Sequence, residues 1–472
     1  MRIPIWEVVE RCRTGQRMVE QDFDMSLFKA AEKLRKEMDI KYDPQDPVPQ
    51  DDALADKVFQ AGLALYLETG TYCVDTGRAV KFTRQEIEAA LADAPSSVVL
   101  GQGEDAVELV HRDVEGKQEP IVGAGVQTAL FSSDEMAFRI YERCAQDRCV
   151  DGIWGGIVGT IGDGYNIVAG TPLEICGYRR NAEILRKAVA AAGRPGMMVI
   201  NNAPMSVATI AMYNEEVGLR ASDGCSCAGT SELKINYDDL DRAAFAISSN
   251  IPIRGSHNSV IGGFSGSVEG AAIVSVAGAF QSLMVCHADE IGAGTVHFRI
   301  KSKCTRECIW VGSVAIQALS RNTRMPVGGN IGDHPAAGPG TSQYLYEAAA
   351  GFIANSVSGG HHLAGTRKFV VGGTPNYGTP LESRWMGEVT KAAAGMSRSK
   401  ANEIVRYLLS KYEDRLMDAP SGDTYEGLYD MKSGKPKQEY LDIYQEVKDD
   451  LARRGLEPWR PKQQRPRALT DC

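Results

Sequence analysis

The feature that most constrains the fold is an alternation of short apolar segments with amphipathic segments between residues 135 and 375. Short continuous apolar runs flanked by helical runs are typical of parallel strands that are covered by helices on both faces. Seven or eight such units over this length predict an α/β fold of the (β/α)8 TIM-barrel type. A doubly wound sheet is the alternative that the same pattern allows.

The sequence also predicts where the barrel begins and ends. We expect residues 1–132 to form an N-terminal helical segment with a small β-insertion, and 381–472 to form C-terminal helices and a tail. Residues 133–380 hold the barrel, and the three segments form one integrated domain. The predicted strands lie at 150–157, 196–200, 231–235, 251–256, 295–300, 325–330 and 368–373. The predicted helices between them lie at 181–193, 238–250, 306–322 and 341–359.

Charge and composition exclude several classes of function. The net charge of −9 argues against nucleic acid or an anionic membrane as a partner, because both are bound through basic surfaces. The apolar run at 267–286 contains Glu269 and Gln281, so we expect a buried core helix there and no membrane span. The charged start of the chain and the odd number of cysteines, 11, predict a cytoplasmic protein with reduced thiols.

The candidate substrate-binding residues are polar side chains near the ends of the predicted strands, where chemistry lies in a barrel. They are Ser226, Ser256, His257, His297, Arg299, Asn330 and Asp333. The segment GRPGMMVINNAPMS at 193–206 differs, because its predicted strand ends on Ile200, whose side chain has no chemistry. The glycine-rich loop at 262–270 lacks the lysine of a phosphate loop and the spacing of a dinucleotide fingerprint. We therefore predict neither a nucleotide cofactor nor ATP.

The GCSC segment at 224–227 suggests a second kind of site. Cys225 and Cys227, with His257 or His297, could hold zinc or supply a reactive thiol. Cys-x-Cys alone is a weak motif, since small buried thiols are also common where strands pack closely. A zinc- or thiol-dependent barrel enzyme therefore stays open as an alternative.

Residues 55–455 resemble the monomethylamine methyltransferases, which pass a methyl group from an amine to a corrinoid protein. The resemblance implies a (β/α)8 barrel, a homo-oligomer that is usually a hexamer, and a separate protein that carries the corrinoid, with no tightly bound cofactor in this chain. The matching segments are YLETGTYCVDTGRAVKFTRQEI (66–87), AAGRPGM (191–197), ELKI (232–235), GGFSGSVE (262–269), TVHFR (295–299), TRE (305–307), AGPGT (337–341), MGEVTKAAAG (386–395) and APSGDTYEGLYD (419–430).

The resemblance fails at the centre of the family's site. The family carries pyrrolysine directly after the strand that follows AGRPGM, and this position falls on Ile200. The two glutamates that flank pyrrolysine in the family fall on Ser226 and Ser256, and a glutamine falls near Asn330. These matches indicate a pocket floor that is apolar and uncharged.

The missing residues change the expected methyl donor. Pyrrolysine is thought to capture methylamine through its imine, and a primary amine is a poor donor without such help. A quaternary or otherwise activated methylated amine needs no capture, because its leaving group departs as a neutral molecule. By analogy we expect an activated donor and not plain methylamine.

A cationic donor would be held by aromatic rings or carboxylates. Trp154, Tyr165, Asp163 and Asp333 are the candidates for that role. If the donor also carries a carboxylate, Arg254 or Arg299 could pair with it. A non-catalytic homologue that only binds a ligand is the remaining alternative.

Overall fold

The computed structural model describes residues 2–126, 130–162, 164–200, 206–366, 368 and 373–461. The helices are α1 (Ile5–Thr14), α2 (Glu20–Glu37), α3 (Asp52–Thr69), α4 (Arg84–Asp93), α5 (Asp134–Gln146), α6 (Pro172–Ala191), α7 (Tyr237–Ser248), α8 (Val268–Cys286), α9 (Arg306–Asn322), α10 (Ser342–Val357), α11 (Pro380–Ala392), α12 (Arg398–Tyr412), α13 (Tyr425–Leu428) and α14 (Gln438–Arg453). The strands are β1 (Gln16–Arg17), β2 (Thr71–Cys73), β3 (Arg78–Val80), β4 (Ser97–Leu100), β5 (Val107–Val110), β6 (Val122–Gly125), β7 (Leu130–Phe131), β8 (Gly152–Trp154), β9 (Ile157–Val158), β10 (Thr160–Ile161), β11 (Tyr165–Asn166), β12 (Met198–Ile200), β13 (Cys225–Ala228), β14 (Lys234–Ile235), β15 (Ile253–Ser256), β16 (Asn258–Ile261), β17 (Glu290–His297), β18 (Val327–Asn330) and β19 (His362–Leu363).

Eight of these strands form one ring in which spatial order follows chain order: β6, β8, β12, β13, β15, β17, β18 and β19. Parallel pairing joins all neighbours in this ring except β12 and β13. Between those two strands, the backbone N–H of Val199 donates a hydrogen bond of 2.9 Å to Asp223 Oδ1. A side chain therefore bridges the one gap in pairing, and the predicted (β/α)8 barrel is confirmed.

Helices follow most of the barrel strands and supply the outer layer of the barrel. The predicted helices at 181–193, 238–250, 306–322 and 341–359 are confirmed as α6, α7, α9 and α10. The helix α8 is long and apolar enough to cross a membrane by composition alone. Its residues from Gly270 to Cys286 are all buried inside the protein, which confirms the expected core helix.

Two predicted strands in the middle of the chain differ from the barrel strands that the structure shows. The segment at 231–235 was assigned to the barrel, but its strand β14 pairs instead with β2 in a separate small sheet. The barrel strand at this point is β13, whose sequence Cys-Ser-Cys-Ala has no apolar run that would mark a strand. The strand predicted at 295–300 is β17, which begins five residues earlier, at Glu290.

The last and first barrel strands also lie outside their predicted positions. The eighth strand is β19 at His362–Leu363, ahead of the prediction at 368–373, most of which lies outside the described residues. The first strand, β6, lies before residue 133, where the barrel was expected to begin. Its sequence, Val-Gly-Ala-Gly, was predicted to be part of the N-terminal β-insertion and not a barrel strand.

The hairpin β4–β5 closes the amino-terminal end of the barrel. The backbone N–H of Gly101 donates to Ser222 O, and that of Gln102 donates to Gly196 O, each at 2.8 Å. Ser222 and Gly196 both precede barrel strands, so the hairpin covers the end opposite to the expected site. The carboxyl ends of the strands are left as the side from which a ligand can enter.

Candidate functional site

A group of polar side chains occupies the inside of the barrel on β15, β17 and β18. Successive residues of a strand point to opposite faces, so Arg254 and Ser256 share the inner face of β15. Pairing places Arg254 opposite Glu290, and Gly294 opposite Asn330. With Trp154 of β8, these side chains form the lumen group: Trp154, Arg254, Ser256, Glu290 and Asn330.

Arg254 connects the members of the lumen group across the barrel. Its Nε lies 2.9 Å from Glu290 Oε2, and its Nη2 donates to Asn330 Oδ1 at 3.4 Å. The centre of its guanidinium lies 5.1 Å from the centre of the Trp154 ring. One cation is thus held by a carboxylate, an amide and an aromatic face, each from a different strand.

Burial controls the charge of Glu290. The carboxyl group is enclosed, and the loss of solvent raises the pKa of Glu290 to about 7, although the ion pair with Arg254 opposes this change. The pKa of an ordinary glutamate is 4.5. Glu290 can therefore gain or lose a proton near neutral pH while it remains inside the barrel.

Nearer to the carboxyl ends of the strands, the wall is polar but uncharged. Asn330 Nδ2 donates to Ser256 Oγ at 3.4 Å. The neighbouring Asn258 has a buried Oδ1 with no hydrogen-bond partner among the described residues. Gly294 lies between the two asparagines, and a Cβ atom there would lie 2.6 Å from Asn258 Oδ1. The absence of a side chain at Gly294 keeps this part of the lumen open to both amides.

Comparison with known proteins decides what this barrel is. A profile of the family described as "Monomethylamine methyltransferase MtmB" matches residues 3–456. The monomethylamine methyltransferase MtmB2 of Methanosarcina acetivorans is 31% identical over 96% of this chain and 98% of its own length. MtmB of Methanosarcina mazei has the same identity and coverage. The crystal structure of Methanosarcina barkeri MtmB superposes with a TM-score of 0.90 at 29% identity, over 96% of this chain and 98% of that chain.

The chain belongs to the monomethylamine methyltransferase family. The family is corrinoid-dependent, so this chain is a methyltransferase of the corrinoid-dependent type, as the resemblance implied. All 472 residues of the printed sequence are standard amino acids, and isoleucine stands at position 200.

Ile200 is the last residue of β12, and its side chain is buried inside the barrel. Its side chain packs over Gly123 beside Leu363 and lines a small cavity that Ser226 also lines. Residues 201–205, which follow this strand, lie outside the described residues. The match of Ile200 to the family's pyrrolysine position stays a prediction. The Ile200 side chain packs against its neighbours inside the barrel.

The expectation of an uncharged pocket floor is wrong. The cavity that Ile200 and Ser226 line is bounded by Arg254 and Glu290 as well. That expectation rested only on the positions that match the family's acidic residues. Glu290 was not predicted, because the strand that carries it was expected to begin at residue 295.

Three other candidates lie away from the lumen group. His257 is buried in the barrel wall against α8, where its Nε2 accepts a 3.3 Å hydrogen bond from Leu233 N–H. Burial lowers the pKa of His257 to about 4. His297 Nδ1 accepts from the backbone N–H of Ile300 at 3.3 Å within a turn, and Arg299 in the same turn is exposed. Ser256 and Asn330 are the strand-end candidates that the structure brings together.

The two cysteines of the GCSC segment lie on the outer face of β13. Cys225 and Cys227 are both buried, and Ser226 between them faces inward, as alternation requires. The hydrogen bond with Cys227 and burial raise the pKa of the Cys225 thiol well above its ordinary value. Across the described ranges, no group of three or more histidine, cysteine, aspartate or glutamate side chains is placed to hold a metal ion.

The carboxylate at Asp333 is already engaged by protein groups. Its Oδ2 lies 3.0 Å from Lys303 Nζ and 2.7 Å from His334 Nδ1. Although burial opposes the change, Lys303 and His334 hold the pKa of Asp333 well below its ordinary range.

The other candidates for holding a cation differ in position. Trp154 is buried in the lumen, whereas Tyr165 is 67% exposed on the hairpin β10–β11. Asp163 lies outside the described residues. Trp154 is the one aromatic candidate that the structure places in the lumen group.

Proposed function

We propose that this methyltransferase binds a methylated amine in the barrel lumen and transfers the methyl group to Co(I) of a corrinoid on a separate protein. The observation that supports this most directly is the lumen group, in which Ser256 and Asn330 lie at the carboxyl ends of β15 and β18. The hairpin β4–β5 lies at the opposite, amino-terminal end of the barrel. A donor held at the carboxyl ends presents its methyl group to a partner that docks on the same side.

The reaction requires an in-line geometry. The electron pair of Co(I) forms the Co–C bond while the C–N bond breaks, and the electrons of that bond go to the departing nitrogen. The cobalt becomes methyl-Co(III), and a quaternary donor leaves as a neutral amine. No proton has to move in this step, so the lumen needs only to hold and orient the donor.

We propose further that the donor is an activated methylated amine and not plain methylamine. Isoleucine stands at position 200, which the resemblance matches to pyrrolysine, and Ser226 and Ser256 stand at the positions that it assigns to acidic partners. Hydroxyl and amide groups can orient a donor by hydrogen bonding, but they cannot replace an imine that captures a primary amine. The relatives are named for monomethylamine, and the proposed donor differs from theirs.

Two expectations about the protein in the cell accompany this function. We propose that the chain acts in the cytoplasm, where reduced corrinoid can be maintained. We also propose that it forms a homo-oligomer of six chains, as the resemblance implies. The molar mass of the purified protein in solution, measured by light scattering, checks the second statement.

The experiment combines the purified protein, its reduced corrinoid partner and a panel of N-methyl compounds. We expect the Co(I) spectrum to change to that of methyl-Co(III) with a quaternary or other activated donor. Asn330→Ala should lower kcat/KM by about tenfold or more, because it removes a hydrogen-bonding group from the lumen wall. Gln438→Ala, which truncates an exposed amide at the start of α14, serves as the matched control and should leave kcat/KM unchanged.

Two outcomes would count against the proposal in different ways. Rapid methyl transfer from methylamine would refute the activated donor and leave the methyl transfer itself standing. Absence of any spectral change across the panel would contradict methyl transfer from N-methyl compounds.

A further inference from the structure

Arg254 has an unusual position for an arginine. Its side chain is buried inside the barrel, at only 9% exposure, and extends from β15 toward β8, β17 and β18. Lysine and arginine are almost never buried unless they are paired, because the charge loses its hydration. The structure therefore keeps a cation at a costly location in the lumen, where a ligand of this family would bind.

The existing partners of Arg254 leave part of its guanidinium available. Glu290 approaches Nε, and Asn330 accepts from Nη2 over a long 3.4 Å contact. Nη1 has no hydrogen-bond partner within the described ranges. An arginine presents its N–H groups as a fork that fits the two oxygens of a carboxylate. A guanidinium with an open Nη1 and a weak Nη2 contact still has such a fork to offer.

We infer that Arg254 binds the anionic end of the methyl donor, so that the donor is a methylated amine carrying a carboxylate. This inference rests on the proposed methyl transfer, since it names the chemical class of the donor for that same site. It assigns Trp154 the role of a flat wall that fixes the plane of the guanidinium. Asn330 helps to hold Nη2 in the orientation that the carboxylate meets.

The spacing of the lumen-group residues along their strands sets the length of this donor. Arg254 and Ser256 are two residues apart on β15, which corresponds to about 7 Å along the strand. A carboxylate at Arg254 therefore leaves the methylated nitrogen beside Ser256, Asn258 and Asn330 when roughly one to three carbons separate the two groups. The methyl group then faces the carboxyl ends of the strands. Donors of this class are short N-methylated amino acids.

Glu290 competes with such a ligand for Arg254. Arg254 is the charged group that faces Glu290 from β15, and Gly328 of β18 packs against the carboxyl group without contributing a charge. Asp223, which lines the same cavity, is paired with Arg186. When a ligand carboxylate takes over the guanidinium, Glu290 loses its partner and should bind a proton. Binding near neutral pH is thus expected to take up a proton and to weaken as pH rises.

The test compares ligand pairs that differ only in the anionic group. The probes are N-methyl-, N,N-dimethyl- and N,N,N-trimethylglycine, each paired with the amino alcohol in which CH2OH replaces the carboxylate. Isothermal titration calorimetry with the full chain, without the corrinoid protein, measures binding independently of turnover. At least one carboxylate should bind about tenfold or more tightly than its alcohol counterpart. Titrations in two buffers of different ionisation enthalpy measure the proton uptake.

Variants separate Arg254 from other arginines and from loss of folding. Arg254→Met/Glu290→Gln removes the pair without leaving an unpaired charge and should abolish the preference for carboxylates. Glu290→Gln alone removes the competitor, so carboxylates should bind more tightly and without proton uptake. Arg299→Met should keep the wild-type preference.

The possible outcomes of the titrations are distinct. Preference for a carboxylate that is lost only with Arg254 supports the inference. Equal affinity within every pair, absence of binding by every carboxylate, or a preference that survives in the double variant overturns it. Because these titrations do not involve corrinoid, a carboxylate preference without methyl transfer would refute the proposed reaction and leave the binding site established.

Discussion

Removal of Arg254 tests the electrostatics of the lumen group. In the folded protein, burial raises the pKa of Glu290 from 4.5 to about 7. A group with a raised pKa contributes stability that is fully present below pH 4.5 and lost as pH rises through 7. The difference between these two pKa values corresponds to a loss of about 3 kcal/mol in the free energy of unfolding at high pH. In Arg254→Met the carboxylate also loses its counter-ion, so the pKa of Glu290 should rise further.

The expected loss of stability therefore depends on pH. At pH 8 Arg254→Met should lower the free energy of unfolding by about 3–5 kcal/mol, the usual cost of removing one partner from a buried ion pair. At pH 6 the loss should be smaller, since Glu290 in the variant can bind a proton. Adding Glu290→Gln should restore most of the stability at pH 8, because no ionised group is then left unpaired.

Urea denaturation at pH 6 and pH 8 measures these differences, with Arg299→Met as the exposed control. Each variant is compared with wild type at the same pH, which removes the contribution of other titrating groups. The reasoning would be refuted by an equal loss at both pH values, or by a double variant that is no more stable than Arg254→Met.

Three further substitutions or conditions have defined expectations. Ile200→Ala should lower the free energy of unfolding by about 2–4 kcal/mol in urea titrations, because Ile200 is buried over Gly123; a change below about 1 kcal/mol would contradict its packing role. Thr83→Ala should cost about 1 kcal/mol in the same assay, since Thr83 and Glu86 form a capping box at the start of α4; an unchanged midpoint would contradict that contribution. Burial lowers the pKa of His361 to about 3, so the stability that its neutral form provides should decline as pH falls below 6.5 toward 3. A His361→Asn variant should show a shallower decline in thermal melts between pH 6.5 and 4, and an unaltered slope would contradict this origin.

Much of the barrel could be predicted because its outer layer follows simple periodic rules. The helices α6, α7, α9 and α10 have apolar residues at helical spacing, so their positions were predictable to within a few residues at most ends. The strand β12, Met198–Ile200, is wholly apolar and was recognised for that reason. The strand β13 was missed, since serine and cysteine give no clear strand signal. The strand β6 was assigned to the N-terminal β-insertion instead of the barrel.

The lumen group was harder to predict for a physical reason. Ser256 and Asn330 were identified as strand-end polar residues, and the structure brings them together at 3.4 Å. Glu290 was missed because its inward position depends on the start of β17, and a one-residue change in register reverses the face of every side chain. Arg254 lies inside the barrel beside Glu290 because β15 pairs with β17 in this register. No local sequence pattern specifies that pairing.

The most direct test of the proposed function is the spectrum of the corrinoid partner during a single turnover. The protein, its reduced partner and each N-methyl compound are mixed without oxygen, and the conversion of Co(I) to methyl-Co(III) is followed with time. The account predicts conversion with a short N-methylated amino acid, slower conversion in Asn330→Ala, and little conversion with methylamine. Conversion that is fast with methylamine and absent with every carboxylate-bearing donor would contradict it.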